Sequence, residues 1–271
     1  MIEHGDPIQV NYGGFVSLST IDWRGRAVCT VFLRGCPLRC SYCQNEAIQA
    51  GENYRDTGEI AAMIGASAPF ISGVVFSGGE PAAQKDALLA LARAAKGMGL
   101  SVGVQTSGLF PGTLEALIGE RLVDKIAIDH KTQWESFSCR EDGTAVQPRR
   151  GYGKNVSRSI EVCREAFLEG SLPEFEVVVT VFYENVTSLK AISDEIGDIP
   201  LVLQQGEHKI PMVPEGAANM TEYIARKQTT IGRYTPMTLA EIRKIAEGLR
   251  RDLRIRTREA GEIPYTRRHI L

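Results

Sequence analysis

The sequence predicts an α/β fold built on a parallel sheet. First, six apolar runs of strand length recur along the chain, at Ala27–Leu33, Gly73–Phe76, Leu100–Val104, Val123–Ile128, Phe175–Phe182 and Leu201–Gln204. Second, stretches with helical apolar periodicity separate them, and strand–helix alternation implies parallel strands joined by right-handed crossovers. Third, polar motifs, several of them rich in cysteine or glycine, close the first four strands, which is where α/β folds carry their chemistry. An incomplete or full barrel and an open doubly wound sheet both satisfy this pattern.

The helical signals follow in order. Asp56-Thr57-Gly58-Glu59 is a capping box opening a helix that runs to about Ala68. Over Gln84–Lys96, residues Ala87, Leu88, Leu91, Ala94 and Ala95 share one face. Gly112–Ile118 is a short helix, and Ser157–Leu168 places Ile160, Cys163 and Phe167 on its apolar side. A helix near Thr187–Ile196 precedes the sixth strand, and Thr238 with Glu241 caps a last one. Beyond it Leu253, Ile255 and Thr257 alternate with Arg254, Arg256 and Arg258, the pattern of a half-buried strand with a solvated face or of a patch for an acidic partner. Gly206–Pro236 is long and poorly periodic, a functional excursion or a partly disordered segment.

Composition narrows the class. With 271 residues, 43% of them hydrophobic, and a net charge of -2, the chain buries a substantial core and carries no global signature for nucleic acid. No apolar run is long enough to span a bilayer, and the first residues lack a signal peptide, so a cytoplasmic protein is expected. The expected organisation is a single domain over 1–271. Its core spans about 15–205, a short extension precedes it, and 206–271 forms a C-terminal extension with a final helix and strand.

The most informative motif is Cys36-Pro37-Leu38-Arg39-Cys40-Ser41-Tyr42-Cys43, directly after the first predicted strand. Three thiolates so close can hold three corners of one cubane cluster and leave the fourth iron without a protein ligand. Structural zinc wants four ligands, and no fourth Cys or His lies nearby; His130 and His208 could join only through the fold. Of the other cysteines, Cys29 sits inside a strand and Cys163 on an apolar helix face, both reading as packing, while Cys139 lies in a polar loop.

Ser77-Gly78-Gly79-Glu80-Pro81 closes the second strand. Its glycines can bring backbone close to a ligand, and Glu80 can accept a hydrogen bond from an ammonium group. Gln105-Thr106-Ser107-Gly108 closes the third strand and Asp129-His130-Lys131 the fourth; Gln204, Gln205 and His208 follow the sixth. The loop with Arg149 and Arg150 is either a clamp for a carboxylate or phosphate or a solvated turn.

The C-x-x-x-C-x-x-C spacing, with Tyr42 before its third cysteine, resembles the signature of the radical S-adenosylmethionine (SAM) superfamily. The stretch Ser19-Thr20-Ile21-Asp22-Trp23-Arg24-Gly25 and the order of the later motifs resemble the activases of glycyl radical enzymes, above all activating proteins of anaerobic ribonucleoside-triphosphate reductase. The resemblance covers about residues 11–205 and implies a partial (β/α)6 TIM-like barrel. It implies that Cys36, Cys40 and Cys43 are the catalytic cluster ligands, with a 4Fe-4S cluster and SAM as cofactors. By the same likeness Gly78, Gly79 and Glu80 bind the amino end of SAM, and Thr106 and Ser107 its ribose and methionine end. Lys131 pairs with its carboxylate, beside Asp129, and Tyr42 belongs to the same site.

The implied partners are a large glycyl radical enzyme, whose backbone glycine loses its α-hydrogen, and a flavodoxin- or ferredoxin-type electron donor. The chain departs from the related pyruvate formate-lyase activating enzymes in three places. Gln105 stands where they carry an Asp at a monovalent-cation site, Gln44 stands where they carry His, and Gly206–Pro236 has no counterpart. Two alternatives stay open: a radical SAM enzyme acting on a small molecule, RNA or protein side chain, and a non-enzymatic metal-binding module.

Overall fold

The computed structural model describes residues 8–40, 42–131, 152–207 and 235–266. They divide into two compact units: 8–38, 45–130 and 152–177 form the first, and 39–40, 42–44, 131, 178–207 and 235–266 the second.

The first unit holds β1 (Gln9–Ser19), β2 (Val28–Leu33), β3 (Tyr54–Asp56), β4 (Gly73–Gly78), β5 (Ser101–Thr106), β6 (Lys125–Asp129) and the first half of β7 (Glu174–Val181). Their order is β3-β1-β2-β4-β5-β6-β7. Strands β2, β4, β5 and β6 pair in parallel, and β1 runs antiparallel to both β2 and β3. The parallel strands are buried almost end to end, as continuous apolar runs must be when both faces are covered. Each fully buried valine or leucine among them is worth about 1.5–3 kcal/mol.

Helices α1 (Thr57–Ser67), α2 (Lys85–Gly97), α3 (Pro111–Gly119) and α4 (Tyr152–Leu168) belong to this unit. Asp56 caps α1 by accepting from Gly58 N at 2.6 Å. Helix α2 buries Ala87, Leu88, Leu91 and Ala95 of the face its spacing predicts, together with Leu89 and Ala92, while Ala94 is only half-buried. Trp23, only 1% exposed, packs with Val28 and Val75 over Gly103, where an added Cβ would lie 3.0 Å from the indole. Its Nε1 donates to Glu174 at 3.1 Å. Beside it Lys125 forms a buried ion pair with Glu176 at 3.1 Å.

The second unit holds the second half of β7, then β8 (Leu201–Gln205), β9 (Leu253–Thr257) and β10 (Gly261–Tyr265), in that order. Strand β9 is parallel to β8 and antiparallel to β10. Helices α5 (Leu189–Ile196) and α6 (Leu239–Leu249) complete it. Thr238 and Glu241 form the expected capping box of α6: Thr238 N donates to Glu241 at 2.8 Å, and Glu241 N to Thr238 Oγ1 at 3.3 Å.

The mixed α/β fold with a parallel sheet is as expected, and the six expected strands are β2, β4, β5, β6, β7 and β8, with ends shifted by about two residues or fewer. Strands β1, β3 and β10 were not anticipated. They are antiparallel or edge elements, half-exposed, and their sequences carry neither a continuous apolar run nor clean alternation. Strand β9 alternates buried and half-buried residues as predicted. Its arginine face is not merely solvated, because Arg254 and Arg256 pair with Glu262 of β10 at 2.8 and 2.6 Å. Among the described residues no helix is long and apolar enough to cross a membrane.

Candidate active site

In the first unit, β2 delivers Arg34, Gly35 and Cys36 into a loop that closes on itself. Gly35 N donates to Ile48 O at 2.8 Å and Cys36 N to Gln49 O at 3.0 Å. The Arg34 guanidinium crosses the same base, reaching Ala47 O and Ala50 O at 3.1 Å each and Tyr12 O at 3.3 Å. Gln84 adds a bond from Nε2 to Arg34 O at 2.9 Å and accepts from Asn11 N at 2.7 Å. The amide N–H of Leu38 lies 3.4 Å from Cys36 Sγ.

The double glycine fits against this loop. Gly78 is the register partner of Leu33, and its carbonyl accepts from Asn45 Nδ2 at 3.0 Å. Gly79 N donates to Leu33 O and Glu80 N to Gly35 O, both at 2.8 Å. A Cβ on Gly79 would stand 2.2 Å from Gly35 O, and one on Gly78, at φ 122, would stand 2.5 Å from Leu33 N and O. The sequence suggested that these glycines let backbone approach a ligand; here they let backbone approach the strand end that carries Cys36.

Glu80, 1% exposed, accepts four hydrogen bonds: from Ala82 N at 3.0 Å, Thr106 Oγ1 at 2.6 Å, Ser107 N at 2.7 Å and the Ser107 hydroxyl. The motif after β4 is thereby tied to the motif after β5. Thr106 Oγ1 also accepts from Gly108 N at 3.1 Å. Asp129, half-buried, follows Ile128, the register partner of Thr106, and His130 next to it is buried. Gln105 accepts from Ser77 Oγ at 2.9 Å and donates to Asp22 O at 3.3 Å, so the residue that departs from its relatives' Asp holds the Ser19–Gly25 loop. Asp22 in turn accepts from Thr30 Oγ1 at 2.7 Å.

The second unit carries Cys40, Tyr42, Cys43 and Lys131. Cys43 N donates to Cys40 O at 3.1 Å, closing a tight turn around Tyr42. The Tyr42 ring rests against Phe182, centroids 5.1 Å apart, and the buried Lys131 ammonium lies 5.3 Å from the Tyr42 centroid. Gln204 accepts from Arg256 Nη1 at 3.1 Å, and Gln205 donates to Met237 O at 2.8 Å. His208, Arg149, Arg150, Cys139 and most of Gly206–Pro236 lie outside the described residues.

A family model for the radical SAM superfamily matches residues 30–195. The chain belongs to the radical SAM superfamily. Its cofactors are therefore a 4Fe-4S cluster and SAM. A protein of Methanocaldococcus jannaschii named for glycyl-radical enzyme activation is 35% identical over 156 residues, which span 56% of this chain and 62% of that protein. A 7-carboxy-7-deazaguanine synthase of Methanospirillum hungatei is 38% identical over 84 residues, 30% of this chain and 35% of that one. The solved structure of Streptococcus suis SuiB shares the fold, with a TM-score of 0.53 at 13% identity, over 83% of this chain and 47% of its own length.

The residues of this radical SAM chain fit that cluster by donor chemistry. Cys36, Cys40 and Cys43 stand as thiols, half-exposed, in one loop. Cys29 and Cys163 are buried in β2 and α4; burial pushes the Cys29 thiol up to about 12 and raises that of Cys163 as well, as expected of packing cysteines. Among the described residues no three His, Cys, Asp or Glu side chains converge as a ready metal site.

The sequence reading did not single out Arg34, Asn45, Gln84 or Phe182. Each acts on backbone or on a ring rather than on a ligand, and no motif announces such a role.

Proposed function

We propose that this protein uses its cluster and SAM to remove the α-hydrogen of a backbone glycine in a large partner enzyme, leaving a stored glycyl radical. The observation that carries the chemistry is the backbone bolt between the Gly78-Gly79-Glu80 motif and the root of the cysteine loop, Gly79 N to Leu33 O and Glu80 N to Gly35 O. It holds the residues proposed for SAM beside the strand end that leads into Cys36. The glycine target is supported by the likeness to the M. jannaschii protein and by the Ser19–Gly25 stretch.

Cys36, Cys40 and Cys43 would hold three irons and leave the fourth to SAM. When bound, the reduced cluster and SAM supply a 5′-deoxyadenosyl radical that takes hydrogen from the substrate. The chain's own residues bind and orient. The hydroxyl protons of Thr106 and Ser107 are committed to Glu80, so toward a ligand both oxygens act as acceptors, matched to an ammonium or a ribose hydroxyl. Glu80, with its acceptor capacity taken by protein donors, acts through these two residues. Lys131 supplies the cation for the SAM carboxylate. An electron donor of flavodoxin or ferredoxin type completes the cycle.

The likeness to a 7-carboxy-7-deazaguanine synthase supports a second reading, in which the hydrogen comes from a small molecule. The test is anaerobic reconstitution with iron and sulfide, reduction with dithionite, and addition of SAM with an anaerobic ribonucleoside-triphosphate reductase from the same organism. The proposal expects 5′-deoxyadenosine together with a stoichiometric glycyl radical by electron paramagnetic resonance. Turnover of SAM with a metabolite, and no radical on any glycyl radical enzyme of that organism, would overturn it.

A further inference from the structure

Within the second unit the aromatic pair Tyr42–Phe182 has a feature that ordinary core packing does not require: one ring is immobilised and the other lies inside the cysteine turn. Phe182 is fully buried. Its backbone N–H donates to Asn185 Oδ1 at 3.0 Å, Asn185 Nδ2 donates to Thr180 O at 2.8 Å, and the residue bridges to Pro236. Gly206 N donates to Val181 O at 3.1 Å, which brings the Gly206 backbone against the Phe182 ring so closely that a Cβ there would stand 2.2 Å from Cε1. The Gly206 backbone therefore closes one side of the buried ring.

Tyr42 contacts this fixed surface at 5.1 Å and 49°, inside the turn closed by Cys43 N and Cys40 O. The Lys131 ammonium lies over the Tyr42 ring at 5.3 Å.

We propose that Phe182 is a positioning residue for the Cys40–Cys43 turn and, through Tyr42, for the Lys131 ammonium, with Gly206 kept bare so that the ring stays in place. The inference rests on the cluster chemistry of the family and not on the glycine target.

The experiment compares the parent protein with Phe182→Leu, Tyr42→Leu, the double variant and Gly206→Ala, all reconstituted anaerobically. It measures iron per chain, the rate of iron loss to a ferrous chelator, the electron paramagnetic resonance spectrum of the dithionite-reduced cluster with and without SAM, and thermal unfolding. Phe182→Leu keeps most of the apolar volume and removes the ring face. Iron loss is expected to quicken about three- to tenfold, the factor that one aromatic pair corresponds to, and the reduced-cluster spectrum to shift. Tyr42→Leu is expected to give the same change, and the double variant no more than either single one.

Gly206→Ala is expected to shift the same spectrum by displacing the ring. Unchanged iron loss and spectra in Phe182→Leu or in Tyr42→Leu overturn the proposal, as does simple addition of the two effects. Because Tyr42 is only half-buried, its variant decides the question even where Phe182→Leu fails to fold. A parent protein that takes up no iron overturns this inference and the cluster assignment together, whereas a normal parent cluster with indifferent variants overturns this inference alone.

Discussion

Glu80 and Glu176 are both buried acids in the first unit, one at the carboxyl ends of its strands and the other near the amino ends, and they are held in opposite ways. Glu176 is neutralised in place by Lys125 at 3.1 Å, next to the Trp23 indole. Glu80 receives two hydroxyls and two backbone amides from three residues. An ion pair within the wall serves the fold. A carboxylate surrounded by hydroxyls instead dictates where those hydroxyl protons point, and so which ligand groups the oxygens can accept from. The same residue type at the two ends thus does structural work at one and, under the proposed function, prepares a binding surface at the other, in line with the general placement of chemistry at strand carboxyl ends.

Four experiments test that contrast. The largest effect belongs to the functional end: Cys36→Ala is expected to abolish SAM cleavage and cluster uptake while leaving thermal unfolding close to the parent, because Cys36 is half-exposed. Iron analysis and chromatography of 5′-deoxyadenosine check it, and a variant that keeps both would remove Cys36 from the cluster.

At the opposite end, Lys125→Met removes one partner of a buried ion pair with Glu176 and is expected to cost about 3–5 kcal/mol of stability. Denaturant titration measures this. SAM affinity of the folded fraction is expected to stay at the parent value, and adding Glu176→Leu to recover most of the loss. A drop in SAM affinity without a drop in stability would break the comparison.

Glu80→Gln, which swaps an acceptor oxygen for a donor among four donors, is expected to cost about 1–3 kcal/mol. It should lower SAM affinity by about ten- to a hundredfold, since each factor of ten is 1.4 kcal/mol. Iron content is expected to stay intact. Calorimetric titration that finds parent affinity would make Glu80 a structural acid like Glu176.

The smallest effect sharpens the scale. Arg93 and Glu120 pair on the surface at 2.7 Å with both side chains about half-exposed, and Arg93→Ala is expected to change stability by about 0.2–1 kcal/mol, with SAM affinity unchanged.

Much of this arrangement was legible in the sequence because it is written in local terms. The cysteine spacing, the Gly78-Gly79-Glu80-Pro81 run and the six apolar strands each announce themselves within a dozen residues, and the structure puts the strand-end motifs where α/β topology requires. The rest depends on partners distant in sequence. Nothing near Asn45 signals that it holds the Gly78 carbonyl, 33 positions away. Gln84 reads as a helix start, yet its side chain ties together Asn11 and Arg34. Gln105 stands out only by its departure from relatives; its bonds to Ser77 and to the Asp22 carbonyl give it a positive role. Gly206 opens a stretch that reads as a functional excursion or a partly disordered segment, and its value lies in the ring of Phe182. Likewise β1 and β10 gain their stability from neighbours, which no periodicity within them can reveal.

The most direct measurement of the central claim follows the hydrogen itself. The partner reductase is prepared with its glycines deuterated at the α-carbon, mixed anaerobically with the reconstituted, reduced protein and SAM, and the 5′-deoxyadenosine is analysed by mass spectrometry. The account predicts deuterium in 5′-deoxyadenosine in step with the appearance of the glycyl radical. Unlabelled 5′-deoxyadenosine, with SAM consumed and no radical on the reductase, would contradict it.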